Sequence, residues 1–150
     1  MTKSQLARNY FLNGANCAQA VLCAFAPECG LDETSAMRIA SGFGGGMGRM
    51  REVCGAVSGM ILVANFLYGY SEGKDKASKD DHYALIQQLA ARFRRENSSI
   101  ICRELLGLEK QGPDTPVSEE RTSAYYKKRP CADLVALAAQ IAEELLLSAK

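Results

Sequence analysis

Four of the six cysteines in this 150-residue chain, Cys17, Cys54, Cys102 and Cys131, fall where the sequence pattern starts a helix. The first turn of a helix offers unpaired N–H groups and the positive end of the helix dipole, and both favour thiolate over thiol. A thiolate attacks disulfides and binds soft metals. The sharpest context is Val53-Cys54-Gly55-Ala56-Val57-Ser58-Gly59, just after the glycine-dense run Gly42-Phe43-Gly44-Gly45-Gly46-Met47-Gly48. Cys54 is accordingly expected to be the reactive thiolate or a ligand, with Cys17, Cys102 and Cys131 as its partners. Arg49 and Arg51 either strengthen its thiolate character or are solvated surface charges. Cys23, inside an apolar helix, reads as a buried hydrophobe, and Cys29, at a helix end, as incidental.

The compact cysteine motifs are excluded. There is no C-x-x-C, so neither a thioredoxin-type pair nor a zinc knuckle is present, and no C-x-x-C-H for haem attachment. The C-x₂-C-x₂-C run of bacterial ferredoxins is missing too. One histidine, His82, limits any Cys/His site to one nitrogen ligand, and its polar neighbours read as a solvated helix start. The glycine run contains no G-x-x-x-x-G-K or G-x-G-x-x-G, which argues against a phosphate loop and for a tight turn beside Cys54. Met47, Met50 and Met60 read as packing residues more than as soft ligands. In a helical bundle, helix ends gather at two poles. Four cysteine-bearing starts at one pole would bring four sulfurs together for disulfide pairing, a Cys₄ metal site or an iron–sulfur cluster.

The elements that must position these residues are helical nearly everywhere. The first predicted helix closes on Tyr10 and Phe11 and stops at Asn13-Gly14. Asn16 caps a second, carrying Cys17, Val21, Leu22 and Phe25 and ending near Pro27 to Gly30. Asp32 caps a third, with Met37 and Ile39 turned inward, and the glycine run ends it. A fourth, from about Glu52 to Tyr68, is apolar nearly all round through Val57, Met60, Ile61, Leu62, Val63, Phe66 and Leu67, and should be central and buried. Gly55, Ala56 and Gly59 give it a small-residue face for a closely packed neighbour. A polar loop from Ser71 to Asp81 leads into a long helix to Asn97, with Ile86, Leu89, Ala90 and Phe93 on one face. A short helix holds Cys102, Leu105 and Leu106. Residues Glu109 to Thr122 read as an irregular surface connection, and the last helix starts at Pro130 and runs through Leu134, Leu137, Ile141 and Leu145. The expectation is an all-α bundle of about six helices in one domain over residues 1–150, with a glycine-rich loop before the central helix.

Composition narrows the function classes. Apolar residues make up 47% and charged residues 23%, and the formal net charge of +1 gives no electrostatic reason to expect nucleic acid or an anionic membrane as partner. Met1 to Arg8 contains no apolar signal core, and the apolar stretch from Val53 to Tyr68 falls short of a bilayer span. A cytoplasmic protein with reduced thiols is expected. There, cysteine-rich chains are more often redox-active or metal-binding than stapled. Small-residue faces on an apolar bundle allow a homodimer.

The segments Asn16-Cys17-Ala18-Gln19-Ala20-Val21, Gly42 to Gly48 and Cys54-Gly55-Ala56-Val57-Ser58-Gly59, followed by Cys102 and Cys131, resemble the C_GCAxxG_C_C family of redox-active proteins, over roughly Leu6 to Cys131. The family's defining positions map onto Cys17, Cys54, Cys102 and Cys131; Cys23 and Cys29 lie outside the pattern. The resemblance implies a helical, redox-linked protein and leaves its reaction open. Two versions follow. In one, thiol–disulfide exchange uses these four cysteines with a redox partner protein or a small oxidant or reductant. In the other, the same four hold an iron–sulfur cluster or another thiophilic metal, with Gly44, Gly45, Gly46 and Gly55 walling the bound group. A metal- or ligand-binding module without turnover, and a structural oligomer with buried thiols, are the competing classes.

Overall fold

In a computed structural model, residues 1–109 and 112–147 are described, and they form an all-α protein. Six helices of eight residues or more carry the architecture: α1 (Lys3–Leu12), α2 (Cys17–Ala24), α3 (Glu33–Ala40), α4 (Gly55–Tyr68), α5 (Lys76–Asn97) and α6 (Cys131–Ala142). Short helical turns fill the gaps at Ala26–Cys29, Cys102–Leu105 and Ser123–Lys128, and α6 continues as a π-helical turn over Glu143–Leu147. Among the described residues there is no strand, only an isolated antiparallel bridge between Val53 and Ile101.

Local chemistry sets the helix starts. Thr2 and Asn16 each form a capping box, their side chains accepting from the backbone N–H three residues on while Gln5 and Gln19 reach back. Asp32 and Asp75 accept from the N–H of Ser35 and Ser78. The Asp75 cap starts α5 inside the segment whose polarity suggested a loop up to Asp81, because a good N-cap outweighs an exposed, charged first turn.

Helix α4 lies between α2 and α6, and α1 packs along both of those. Phe11, Leu22, Phe25, Met60, Leu89 and Phe93 are fully buried in one core cluster. The small-residue face of α4 is used as expected. A Cβ on Gly59 would come within 2.7 Å of Val21 Cβ and 3.1 Å of Ala18 O, so glycine there lets α2 and α4 approach closely.

Several expectations about burial need correction. Phe66 is exposed, because α4 is covered only along part of its length. Ile39 is exposed and Met37 half-buried, since α3 turns Ala36 and Ala40 to the core. His82 is not a solvated helix-start residue: it is 7% exposed, and its Nε2 pairs with Asn65 Oδ1 of α4 at 2.7 Å. Met60 is core, whereas Met47 and Met50 are exposed. The glycine run is a series of tight turns. Ser41–Phe43 forms a 3₁₀ turn, and Gly45, Gly46, Met47, Gly48, Arg49 and Arg51 all have positive φ. Lys110 and Gln111, in the connection expected from Glu109 to Thr122, lie outside the described residues. No helix among the described residues is long and apolar enough to cross a membrane.

Candidate functional site

All four helix-start cysteines line one cavity of about 360 Å³. Cys17, Cys102 and Cys131 are each the first residue of their helical segment, and Cys54 is the N-cap of α4. The Val53–Ile101 bridge sets two of them side by side. Cys54 N donates to Ile100 O at 2.8 Å and Cys102 N to Glu52 O at 2.6 Å, so two chain segments far apart in sequence start their helices together. Gly55 brings in the third. A Cβ there would sit 2.9 Å from Phe43 O and 3.0 Å from Cys17 Cβ, so the start of α2 rests directly on the start of α4. Gly46, at φ 71°, has the Cys102 Cβ and Glu52 N each 2.7 Å from where its own Cβ would be. Gly44, Gly45, Gly46 and Gly55 all border the cavity.

The four thiols do not share one environment. In the electrostatics of the cavity Cys17 and Cys131 act as a hydrogen-bonded pair, which splits their acidities. Cys17, as donor, is raised well above the ordinary thiol value by that bond and by burial. Cys131, as acceptor, is lowered by that bond; burial opposes the shift, and Arg129, Arg121 and Arg51 reinforce it. Burial pushes Cys54 up to about 12 against the pull of the Ala56 and Val57 backbone N–H groups. Cys102 is raised by burial, although Arg51 Nη1 reaches its sulfur at 3.6 Å. Outside the cavity, Cys23 is buried and raised to about 11 by burial and then by Glu33. Cys54, expected as the reactive thiolate or a ligand, is thus a thiol raised by its burial. The helix-start effect is present but smaller than the desolvation cost. None of the six cysteines is in a disulfide. Among the described residues, no three Cys, His, Asp or Glu side chains are grouped tightly enough to grip a metal ion.

Four arginines also line the cavity: Arg49, Arg51, Arg121 and Arg129. Arg51, only 6% exposed, pairs with Asp114 at 2.8 Å, and Arg129 with Glu119 at 2.6 Å. Arg49 reaches Asp114 at 3.5 Å and Glu119 at 3.9 Å and donates to Val117 O. Arg121 donates to Phe11 O at 2.9 Å and Ala15 O at 3.0 Å, with its guanidinium 4.4 Å from the Phe11 ring centroid and 5.0 Å from that of Tyr125. The segment expected to be a plain surface connection thus supplies Pro116, Ser118, Glu119 and Arg121 to the cavity. The Ser123–Lys128 turn, capped by Thr122, adds Tyr125. The sequence carried one signal for this: Arg129 stands two residues before Cys131. Arg121 gave none, because its placement depends on carbonyls of α1 and the following loop.

A helical fold that delivers four cysteine-bearing helix starts to one arginine-lined cavity defines a cysteine-centred helical protein. The family model described as "Putative redox-active protein (C_GCAxxG_C_C)" matches residues 15–145, and the chain belongs to that family. No curated protein and no solved structure matches it.

Proposed function

We propose that the protein is a thiol–disulfide redox protein in which Cys131 attacks and Cys17 resolves. The hydrogen-bonded Cys17–Cys131 pair inside the cavity carries this reading. The Cys131 thiolate attacks one sulfur of a substrate disulfide. A mixed disulfide forms, the substrate S–S bond breaks, and the departing thiolate takes up a proton. Cys17 then gives up its proton and attacks the Cys131 sulfur. A Cys17–Cys131 disulfide forms and the second substrate thiolate leaves. The substrate gains two electrons and two protons, and a dithiol reductant returns the pair to its starting state. Arg129, Arg121 and Arg51 stabilise the thiolate at Cys131, while Gly44, Gly45, Gly46 and Gly55 bound the space beside it. Cys54 and Cys102 hold the cavity's shape on this reading, in a reducing, cytoplasmic setting.

A second reading, ligation of an iron–sulfur cluster, is favoured by the convergence of four sulfurs from four chain segments on one cavity. Cys17, Cys54, Cys102 and Cys131 would hold it, the arginines would offset the negative charge of four thiolates, and the bound group would supply one-electron transfer. A cluster, being wider than one ion, fits sulfurs spread around a cavity better than a mononuclear site does.

Anaerobic purification followed by iron, acid-labile sulfide and thiol determination separates the two. Metal-free protein that reduces a disulfide at the cost of two thiols supports exchange. Iron and sulfide in stoichiometric amounts, with the four thiols protected, replace it with ligation.

A further inference from the structure

Among the described residues, the arginines of the cavity outnumber the carboxylates paired with them. Arg49, Arg51, Arg121 and Arg129 line the cavity, and the carboxylates in ion-pair contact with them among the described residues are Asp114 and Glu119. Arg121 is held by backbone carbonyls and aromatic rings, which fix a guanidinium in place without neutralising it. The Nε of Arg49 is buried with no hydrogen-bond partner. The starts of α2, α4 and α6 add the positive ends of their dipoles at the same pole. Buried positive charge without a counter-charge is costly, and fixed guanidinium groups bind carboxylates and phosphates well.

From this surplus we infer that the cavity binds a small substrate carrying an anionic group, held by Arg121 and its neighbouring arginines beside Cys131. The reacting partner is thus an anionic disulfide or thiol and not a neutral one. The apolar part of the ligand lies against Phe11, Leu105, Leu106 and Leu134, which share the lining. The identity of the reacting bond rests on the exchange reading above; the recognition of the anion does not.

Suberate is the all-carbon isostere of a bis(carboxyethyl) disulfide, and octanediamide is its uncharged counterpart. Neither can react with a thiol. Calorimetric titration of the reduced protein should show suberate binding at least tenfold more tightly than octanediamide, with the advantage shrinking as salt rises. Arg121→Gln should remove most of that advantage, and Arg121→Lys should keep part of it. Equal affinity for the two probes, or no binding of either up to 10-millimolar levels (roughly the weak limit of specific recognition), overturns the inference without needing any variant. The reactive pair, dithiodipropionate against its diamide, is run alongside. Suberate binding without disulfide reduction keeps the anion site and removes exchange. Reduction of both disulfides at equal rates, without suberate binding, does the reverse.

Discussion

The two sides of the cavity are built differently. On one side, Cys54 and Cys102 are fixed by main chain: the Val53–Ile101 bridge, the hydrogen bonds of their own N–H groups, and the left-handed turn at Gly46 pressed against Cys102. On the other, the Cys17 and Cys131 thiols act on each other's acidity, with three arginines acting on Cys131. All four stand at helix starts, yet Cys54 is pushed up to about 12 and Cys131 is lowered. Helix-start position is therefore not what decides which thiol is the more acidic. Its fraction-of-a-charge contribution is outweighed by burial at Cys54. At Cys131, a donated hydrogen bond and whole charges outweigh burial.

The strongest way to break this contrast is to remove one sulfur from each side. Cys131→Ser should lower the rate of disulfide reduction by at least about a thousandfold, because a serine hydroxyl stays protonated at neutral pH. Cys54→Ser should change that rate by less than about threefold, measured by release of a chromogenic thiol. Comparable losses in both would erase the distinction between the sides.

The backbone-built side should be the more sensitive to shape. Gly46→Ala forces a Cβ onto Cys102 Cβ and Glu52 N from a positive φ, and should cost roughly 3 kcal/mol of stability in urea unfolding. An alanine tolerated at no cost would mean the turn is not packed as described.

Alkaline pH sharpens the comparison further. A thiol raised in the folded state contributes stability that is fully present below the unfolded value and lost as pH rises through the folded one. For Cys54 that window runs from the ordinary 9.0 up to about 12. Stability should fall there by about 1.4 kcal/mol per pH unit for this thiol, and Cys54→Ala should flatten the slope in pH-dependent unfolding. Cys131 has the opposite sign: its contribution is present above the unfolded value and lost as pH falls through the folded one.

The smallest effect is expected from Arg129→Gln. It should raise the Cys131 thiol in the pH profile of alkylation and leave Cys54 where it is.

Much of the frame was legible in the chain, because it is set by local chemistry. Asn16, Asp32 and the apolar run through Met60 and Val63 each announce a helix, and Gly55 and Gly59 announce a close neighbour. Which of the four cysteines is most acidic was not legible. That ranking depends on Arg121 and Arg129, which the chain after Gly112 folds back over the cavity, and on a hydrogen bond between residues 17 and 131. The burial of His82 was illegible for a related reason: it involves Asn65 on another helix, which no periodicity along its own helix reveals.

Limited oxidation of the reduced, metal-free protein with diamide, followed by peptide mapping of its disulfides, tests the central claim most directly. The account predicts that the Cys17–Cys131 disulfide forms first, with Cys54 and Cys102 recovered as free thiols. A first disulfide between Cys54 and Cys102, or one that joins Cys54 to Cys17, would contradict it.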